Sequence, residues 1–130
     1  MPVDPASAPA TPPPYQVSWD ATHEVIRFVH TPGSVCDERQ AQEGTAAMHA
    51  MFDRPLPLLV DMRGLTKIER GAREHFKRDK GGVAAMALLV GSPVTRMIAN
   101  FFMRTDVDAT PSRMFSDETA ALAWLGDYRP

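Results

Sequence analysis

The chain has 130 residues, of which 44% are hydrophobic and 23% are charged, and its formal net charge is −2. This length and composition are typical of one soluble globular domain, and the small negative net charge gives no electrostatic argument for binding nucleic acid. No apolar run approaches the ~20 residues that a membrane helix requires, so we expect no integral membrane segment.

The amino-terminal stretch is rich in proline: residues 1–14 hold six of the twelve prolines in the chain. We therefore expect a disordered, Pro-rich arm over residues 1–14, followed by one domain over residues 15–127. The arm is interpreted as either a solubilising tail or a ligand for a proline-binding module. It lacks a basic region followed by an apolar core, so it does not resemble a secretory signal, and a cytoplasmic location follows by default. Cys36 is the only cysteine, which fits a reducing compartment.

Two short alternating stretches open the domain, at residues 15–18 and 24–30, and predict a β-hairpin. Ser34, with Asp37 three residues later, then matches a helix-capping pattern and predicts a helix over residues 35–51. Gly44, in the middle of that helix, weakens it by roughly 1 kcal/mol relative to alanine but allows close approach to a sheet.

The middle of the chain alternates strand and helix signals. Residues 58–62 are a short apolar run that predicts a central strand, and residues 63–67 are predicted to be a loop at its carboxyl end. Ile68, Ala72 and Phe76 give the next helix a buried stripe, while the outward positions carry several opposite charges four residues apart.

The strongest signal in the sequence is the apolar run at residues 83–90, closed by Gly91-Ser92-Pro93 and followed by a helical pattern. This predicts a fully buried strand that turns into a helix, which Ser92 caps. The spacing predicts that the sheet-facing side of this helix comprises Val94, Met97, Ile98 and Phe101, with Phe102 at its edge. The opposite, polar side comprises Arg96, Asn100 and Arg104.

After a polar loop over residues 106–111, residues 112–115 predict a last strand, and Ser116-Asp117-Glu118 starts a closing helix. The element order β β α β α β α β α predicts an α/β domain with a mixed sheet of four to five strands. Its helix-linked strands are parallel, and the opening hairpin supplies the antiparallel edge.

This order resembles the STAS superfamily of SpoIIAA-like proteins, the bacterial anti-sigma-factor antagonists. Three segments carry the resemblance: LLVDMRGLTKI, LLVGSPVTRMIANFF and SRMFSDETAALAWL. The Trp124-Leu125 pair also matches the end of a little-characterised bacterial branch of that superfamily. The resemblance covers roughly residues 15–126 and implies a STAS-like fold.

The resemblance also implies a place for a regulatory serine. STAS antagonists of the partner-switching kind carry a phosphorylatable serine beside an aspartate at a helix start, and the corresponding positions here are Arg70 and Glu69. The phosphoacceptor is therefore missing, and Thr66, the nearest hydroxyl, is a weak substitute. The resemblance implies a regulatory module that binds an unknown protein partner.

Two sets of residues are candidates for binding. The first is the basic stretch Arg63, Lys67, Arg70 and Arg73, which would face an acidic partner or, alternatively, form a solvated helix face. The second is the turn at Ser92 with Arg96, where the start of a helix would hold an anionic or lipid head, with Phe101, Phe102 and Met97 lining an apolar slot. A protein partner, a small anionic or lipid ligand, and a homodimer all remain open.

The residues that usually carry catalysis or bind metals do not occur in recognisable patterns. The four histidines lack zinc-site spacing, the serines sit at predicted helix starts, and no phosphate-binding glycine motif occurs. We therefore predict a protein without catalytic activity, without a metal and without a cofactor.

Overall fold

A computed structural model describes residues 13–79, 82–104 and 110–129. Of the predicted arm, all but residues 13 and 14 lie outside the described residues, as does most of the predicted loop over residues 106–111. In chain order the strands and helices are β1 (Tyr15–Asp20), β2 (Val25–His30), β3 (Ser34–Cys36), α1 (Glu38–Met51), β4 (Pro57–Asp61), β5 (Leu65–Ile68), α2 (Arg70–Arg78), β6 (Ala85–Leu89), α3 (Pro93–Arg104), β7 (Ser112–Phe115) and α4 (Glu118–Leu125), with a final 3₁₀ turn (Gly126–Tyr128).

The main sheet has five strands in the order β1-β2-β4-β6-β7. The edge strand β1 runs antiparallel to β2, and every other pair in this sheet is parallel. These findings confirm the predicted α/β class, the mixed sheet and the antiparallel hairpin at its edge. The central strand β6 is buried at all five positions, as its unbroken apolar run predicted.

Helices cover the two faces of the sheet unequally. Residues of α1, α2 and α3 pack on one face, in a core that includes Ile26, Leu58 and Leu88. The short helix α4 packs on the other face through Ala121 and Leu125. Gly44 lies where α1 approaches the sheet, since a Cβ there would stand 2.7 Å from the ring of Phe28. The close approach expected of this glycine is therefore confirmed.

A second, two-stranded sheet pairs β3 with β5 in parallel. Three predictions are wrong here. Ser34 lies in β3 instead of capping a helix, residues 65–67 of the predicted loop form a strand, and Ile68 ends that strand instead of lying in the next helix. The cap of α1 is Asp37, whose carboxylate accepts the backbone N–H of Gln40 at 2.8 Å. The Gln40 side chain accepts the Asp37 N–H in return, at 3.3 Å. This reciprocal pair fixes the helix start three residues after the predicted one.

Candidate functional site

The helix α2 presents a basic side to the solvent. Its sequence RGAREHFKR contains four Arg or Lys residues and one Glu. Ala72 is fully buried and Phe76 packs against the core, so the helix is anchored through the stripe that the sequence predicted. Arg70, Arg73 and Lys77 follow one another at intervals of three and four residues and share the opposite side.

The helix α3 is rotated relative to its predicted orientation. Its buried positions are Thr95, Ile98, Ala99 and Phe102, which follow the same i, i+3, i+4, i+7 spacing one residue later than predicted. Val94 and Met97, predicted to face the sheet, are instead 43% and 66% exposed. The sequence did not predict this outward apolar side, because the stripe that is buried in the structure contains the polar residue Thr95.

Thr95 can be buried because its hydroxyl has hydrogen-bond partners at the start of α3. Its Oγ1 accepts the backbone N–H groups of Gly91 and Ser92, at 3.1 and 3.0 Å. The Thr95 N–H is in turn donated to Ser92 Oγ at 3.1 Å. Burying a hydroxyl costs little when it is hydrogen-bonded, and this network selects the rotation of the helix.

The outward sides of α2 and α3 meet at Phe101. The Arg73 Cζ atom lies 5.8 Å, and the Lys77 Nζ atom 5.6 Å, from the centre of the Phe101 ring, so both cations contact its face. Behind them, the rings of Phe76 and Phe102 pack edge to face at 5.2 Å and join the two helices. Basic and apolar groups thus form one continuous area. We call it the α2–α3 surface and define it as Arg70, Arg73, Lys77, Val94, Met97 and Phe101.

Two other predicted binding residues, Arg63 and Lys67, belong to the segment from β4 to β5 and not to α2 or α3. Arg63 lies at the carboxyl end of β4, where its Nη2 donates to Asp61 Oδ2 at 2.8 Å and its Nε to Asp61 Oδ1 at 3.0 Å. Burial acts to raise the pKa of Asp61, but these hydrogen bonds outweigh it and hold the pKa below its usual value. Lys67 is exposed on β5.

Ser92 and Arg96, the residues of the predicted anion site, lie one turn apart at the start of α3. The Ser92 hydroxyl takes part in the cap of α3, and two of the N–H groups near it are donated to Thr95. Arg96 is exposed, and its Nη1 lies 3.9 Å from the sulfur of Met114 on β7. Met97 points outward while Phe102 is buried, so these two side chains do not line one slot.

The positions that the family resemblance assigns to regulation lie at the start of α2. Glu69 is the N-cap residue, but its side chain makes no capping hydrogen bond, and Arg70 is the first residue of the helix. The Thr66 hydroxyl donates to the carbonyl of Ser34 at 2.9 Å, across the β3–β5 pair. A guanidinium therefore stands where a phosphoacceptor hydroxyl was expected from the family pattern.

Comparisons with known proteins agree on the fold. The family described as Domain of unknown function (DUF7793) matches residues 19–129. An uncharacterised DUF3478-family protein from Shewanella loihica, with a SpoIIAA-like fold, is 14% identical and superposes with a TM-score of 0.59, over 85% of this chain and 91% of that one. An anti-sigma factor antagonist from Mycobacterium paratuberculosis is also 14% identical, with a TM-score of 0.57, over 85% of this chain and 92% of that one. No curated protein matches the sequence.

These similarities confirm the STAS-like fold that the sequence resemblance implied. At 14% identity they establish the shared fold and leave function to be argued from this chain's own residues. Within the part of the chain that the structure describes, no helix is both long enough and apolar enough to cross a membrane.

Proposed function

The chain belongs to the DUF7793 family, and we propose that it is a non-catalytic regulatory module that acts by protein–protein contact through the α2–α3 surface. The observation that carries this proposal is the outward apolar side of α3 beside the basic side of α2. Isolated exposed apolar residues are common, but a contiguous apolar patch rimmed by charge marks an interaction site.

The charge of this surface suggests what kind of partner it binds. The whole chain has a net charge of −2, whereas α2 carries four basic residues against one acidic residue. Lys77 pairs with Glu74 at 3.3 Å, which leaves the excess positive charge at Arg70, Arg73 and Arg78. The expected partner therefore presents acidic side chains around an apolar centre, because such a surface complements both features.

The regulatory role is supported by the fold shared with a protein described as an anti-sigma factor antagonist. We propose that the present chain differs in how it is controlled. Adding a phosphate at the start of α2 would require a hydroxyl where Arg70 stands, so control by phosphorylation at that position is not expected. The cytoplasmic location and the domain limits at residues 15–127 remain proposals that rest on the sequence.

The test is capture of partner proteins from a host lysate by the immobilised chain, repeated with matched variants. Arg70→Glu/Arg73→Glu and Met97→Asp change the α2–α3 surface. Arg39→Glu and Met51→Asp are the controls, because both residues lie on α1, with the Arg39 side chain 86% exposed and Met51 50% exposed. We expect a captured partner to bind the two surface variants at least about 30-fold more weakly, as at interface hot spots.

The controls should retain the partner at wild-type affinity. Retention of the partner by both surface variants would contradict the proposal, as would equal loss in all four. Circular dichroism of each variant separates loss of binding from loss of folding.

A further inference from the structure

The apolar part of the α2–α3 surface is a narrow stripe along one helix. Val94, Met97 and Phe101 follow one another on α3 at intervals of three and four residues, so they span about 10 Å along its axis. Met97 is the most exposed large apolar side chain among the described residues. A stripe with this spacing is the pattern by which one helix packs along another.

Positive charge borders this stripe. Arg73 and Lys77 of α2 lie over the Phe101 ring, at 5.8 and 5.6 Å from its centre, and these contacts hold both cations beside the stripe. Arg96 of α3 is exposed as well, and the sequence of α3 contains no acidic residue. A segment that covers the stripe therefore meets positive charge, which favours acidic side chains on that segment.

The charge at the start of α2 is poorly placed for the stability of the helix itself. Arg70 is the first helical residue, the first turn contains no acidic residue, and the N-cap residue makes no side-chain hydrogen bond. The positive end of a helix dipole repels a cation, so an acidic residue at position 70 would serve the fold better. A residue that breaks a local rule of stability indicates a use outside the fold.

Two other occupants fit these features less well. A second copy of this chain, packed through α3 about a two-fold axis, would bring two sets of Arg and Lys residues together, and like charges disfavour such a contact. An anionic bilayer would match the charge, but membrane-surface helices insert large apolar side chains such as Trp, Phe and Leu. Here the only aromatic ring of the stripe, Phe101, lies under Arg73 and Lys77 instead of protruding.

We propose that the α2–α3 surface binds one acidic, amphipathic helix of a different protein. Its apolar residues pack along Val94, Met97 and Phe101, and its Asp or Glu side chains pair with Arg70 and Arg73. Such a helix carries its apolar anchors at i, i+3, i+4 and i+7, the spacing that matches the stripe on α3. This inference rests on the proposed function, because it names the element that the partner presents to that surface.

The first experiment uses p-benzoylphenylalanine, a photo-cross-linking residue, in place of Met97 in the full chain. A control chain carries the same residue in place of Met51, which is 50% exposed on α1. After irradiation in host cells, mass spectrometry identifies what is joined to each position. We expect position 97, and not position 51, to be joined to a segment of another protein that has a net negative charge and apolar residues at helical spacing.

The second experiment titrates the full chain with that segment as a labelled synthetic peptide, followed by fluorescence anisotropy. Arg70→Gln/Arg73→Gln should bind the peptide at least about tenfold more weakly at low salt, as loss of charge-assisted hydrogen bonds implies. The difference should shrink at high salt, because these charges are exposed to screening. Arg39→Gln, a control on α1, should bind as wild type does, and the peptide should gain helical circular dichroism when it binds.

Each alternative occupant gives a different cross-linked product. A product with a second copy of this chain or with lipid at position 97 overturns the inference. A product with a protein segment that is not acidic, or lacks helical spacing, overturns the inference but leaves the proposed protein contact standing, so the two failures are distinguishable. No product at position 97 overturns both, and equal binding by wild type and Arg70→Gln/Arg73→Gln overturns the inference.

Discussion

The burial of His30 predicts that the protein loses stability in mildly acidic solution. In the unfolded chain this histidine takes up a proton below pH 6.5, whereas in the folded protein it does so only below about pH 4. Between these values the unfolded state binds more protons, so the free energy of unfolding falls as the pH falls, by about 1.4 kcal/mol per pH unit at most. His30 is nearly fully buried, so solvent screening reduces this effect little.

The expected loss between pH 7 and pH 5 is about 2 kcal/mol, because the two pKa values bracket most of this interval. The partly buried Asp61 does not obscure this effect. Its pKa is held below the usual value of 3.8, so its contribution to stability is lost only below the pH range of this experiment. The assay is urea unfolding followed by circular dichroism at pH 7, 6 and 5, for wild type and for His30→Gln.

The His30→Gln variant should show a pH dependence smaller by about 2 kcal/mol over this interval, since the other histidines contribute equally to both proteins. Equal pH dependence in wild type and His30→Gln would refute the reasoning. A His30 imidazole NMR signal that titrates near pH 6.5 in the folded protein would refute it as well.

Three further substitutions test local structure by their effect on the free energy of urea unfolding. Gly64→Ala should cost about 3 kcal/mol, because its Cβ would stand 2.7 Å from the backbone oxygen of His30. Gly91→Ala should cost under about 1 kcal/mol, because its Cβ would meet only the flexible Arg63 side chain, at 3.2 Å. Equal losses in the two variants would contradict this reasoning. Asp37→Ala should cost about 1 kcal/mol by removing the cap of α1, and no loss would dismiss the capping pair. Glu69→Asp should gain about 0.5 kcal/mol by giving α2 the side-chain cap that it lacks, and unchanged or lower stability would contradict this.

Long apolar patterns made most of the fold predictable from the sequence. The run that ends at Val90 and the turn Gly91-Ser92-Pro93 located both the central strand and the start of α3, because a strand buried on both faces has no polar positions to obscure it. The closing helix was predictable for a similar reason, since Asp117 caps it and Ala121 and Leu125 are buried at helical spacing.

The β3–β5 pair was not predictable, because its strands are only three and four residues long and lie about 30 residues apart in the chain. Segments of this length carry too little alternation to distinguish a strand from a loop. A plausible capping pattern at Ser34 also competed with the strand. The true cap uses Asp37 and Gln40, three residues further on, and only the path of the folded chain decides between the two.

Only part of the candidate site could be predicted from the sequence. The basic residues of α2 were recognisable from their spacing, but their contact with Phe101 depends on how two helices pack, which the sequence does not encode locally. The surroundings of His30 were equally hidden, because the alternation predicted its strand but not the gap in the packing beside its side chain.

The orientation of α3 links the fold to the proposed function. Two stripes on this helix have the same spacing and share Ile98, which is buried. The stripe that contains Thr95 is buried, whereas Val94 and Met97 of the more apolar stripe are exposed to the solvent. Folding alone would favour burial of the apolar stripe, since each buried apolar side chain contributes about 1.5–3 kcal/mol. The hydroxyl network at Ser92 and Thr95 fixes the rotation, but it does not require apolar residues on the outward side. A polar residue at Met97 would serve the fold equally well, so the methionine is better explained by a partner that covers it.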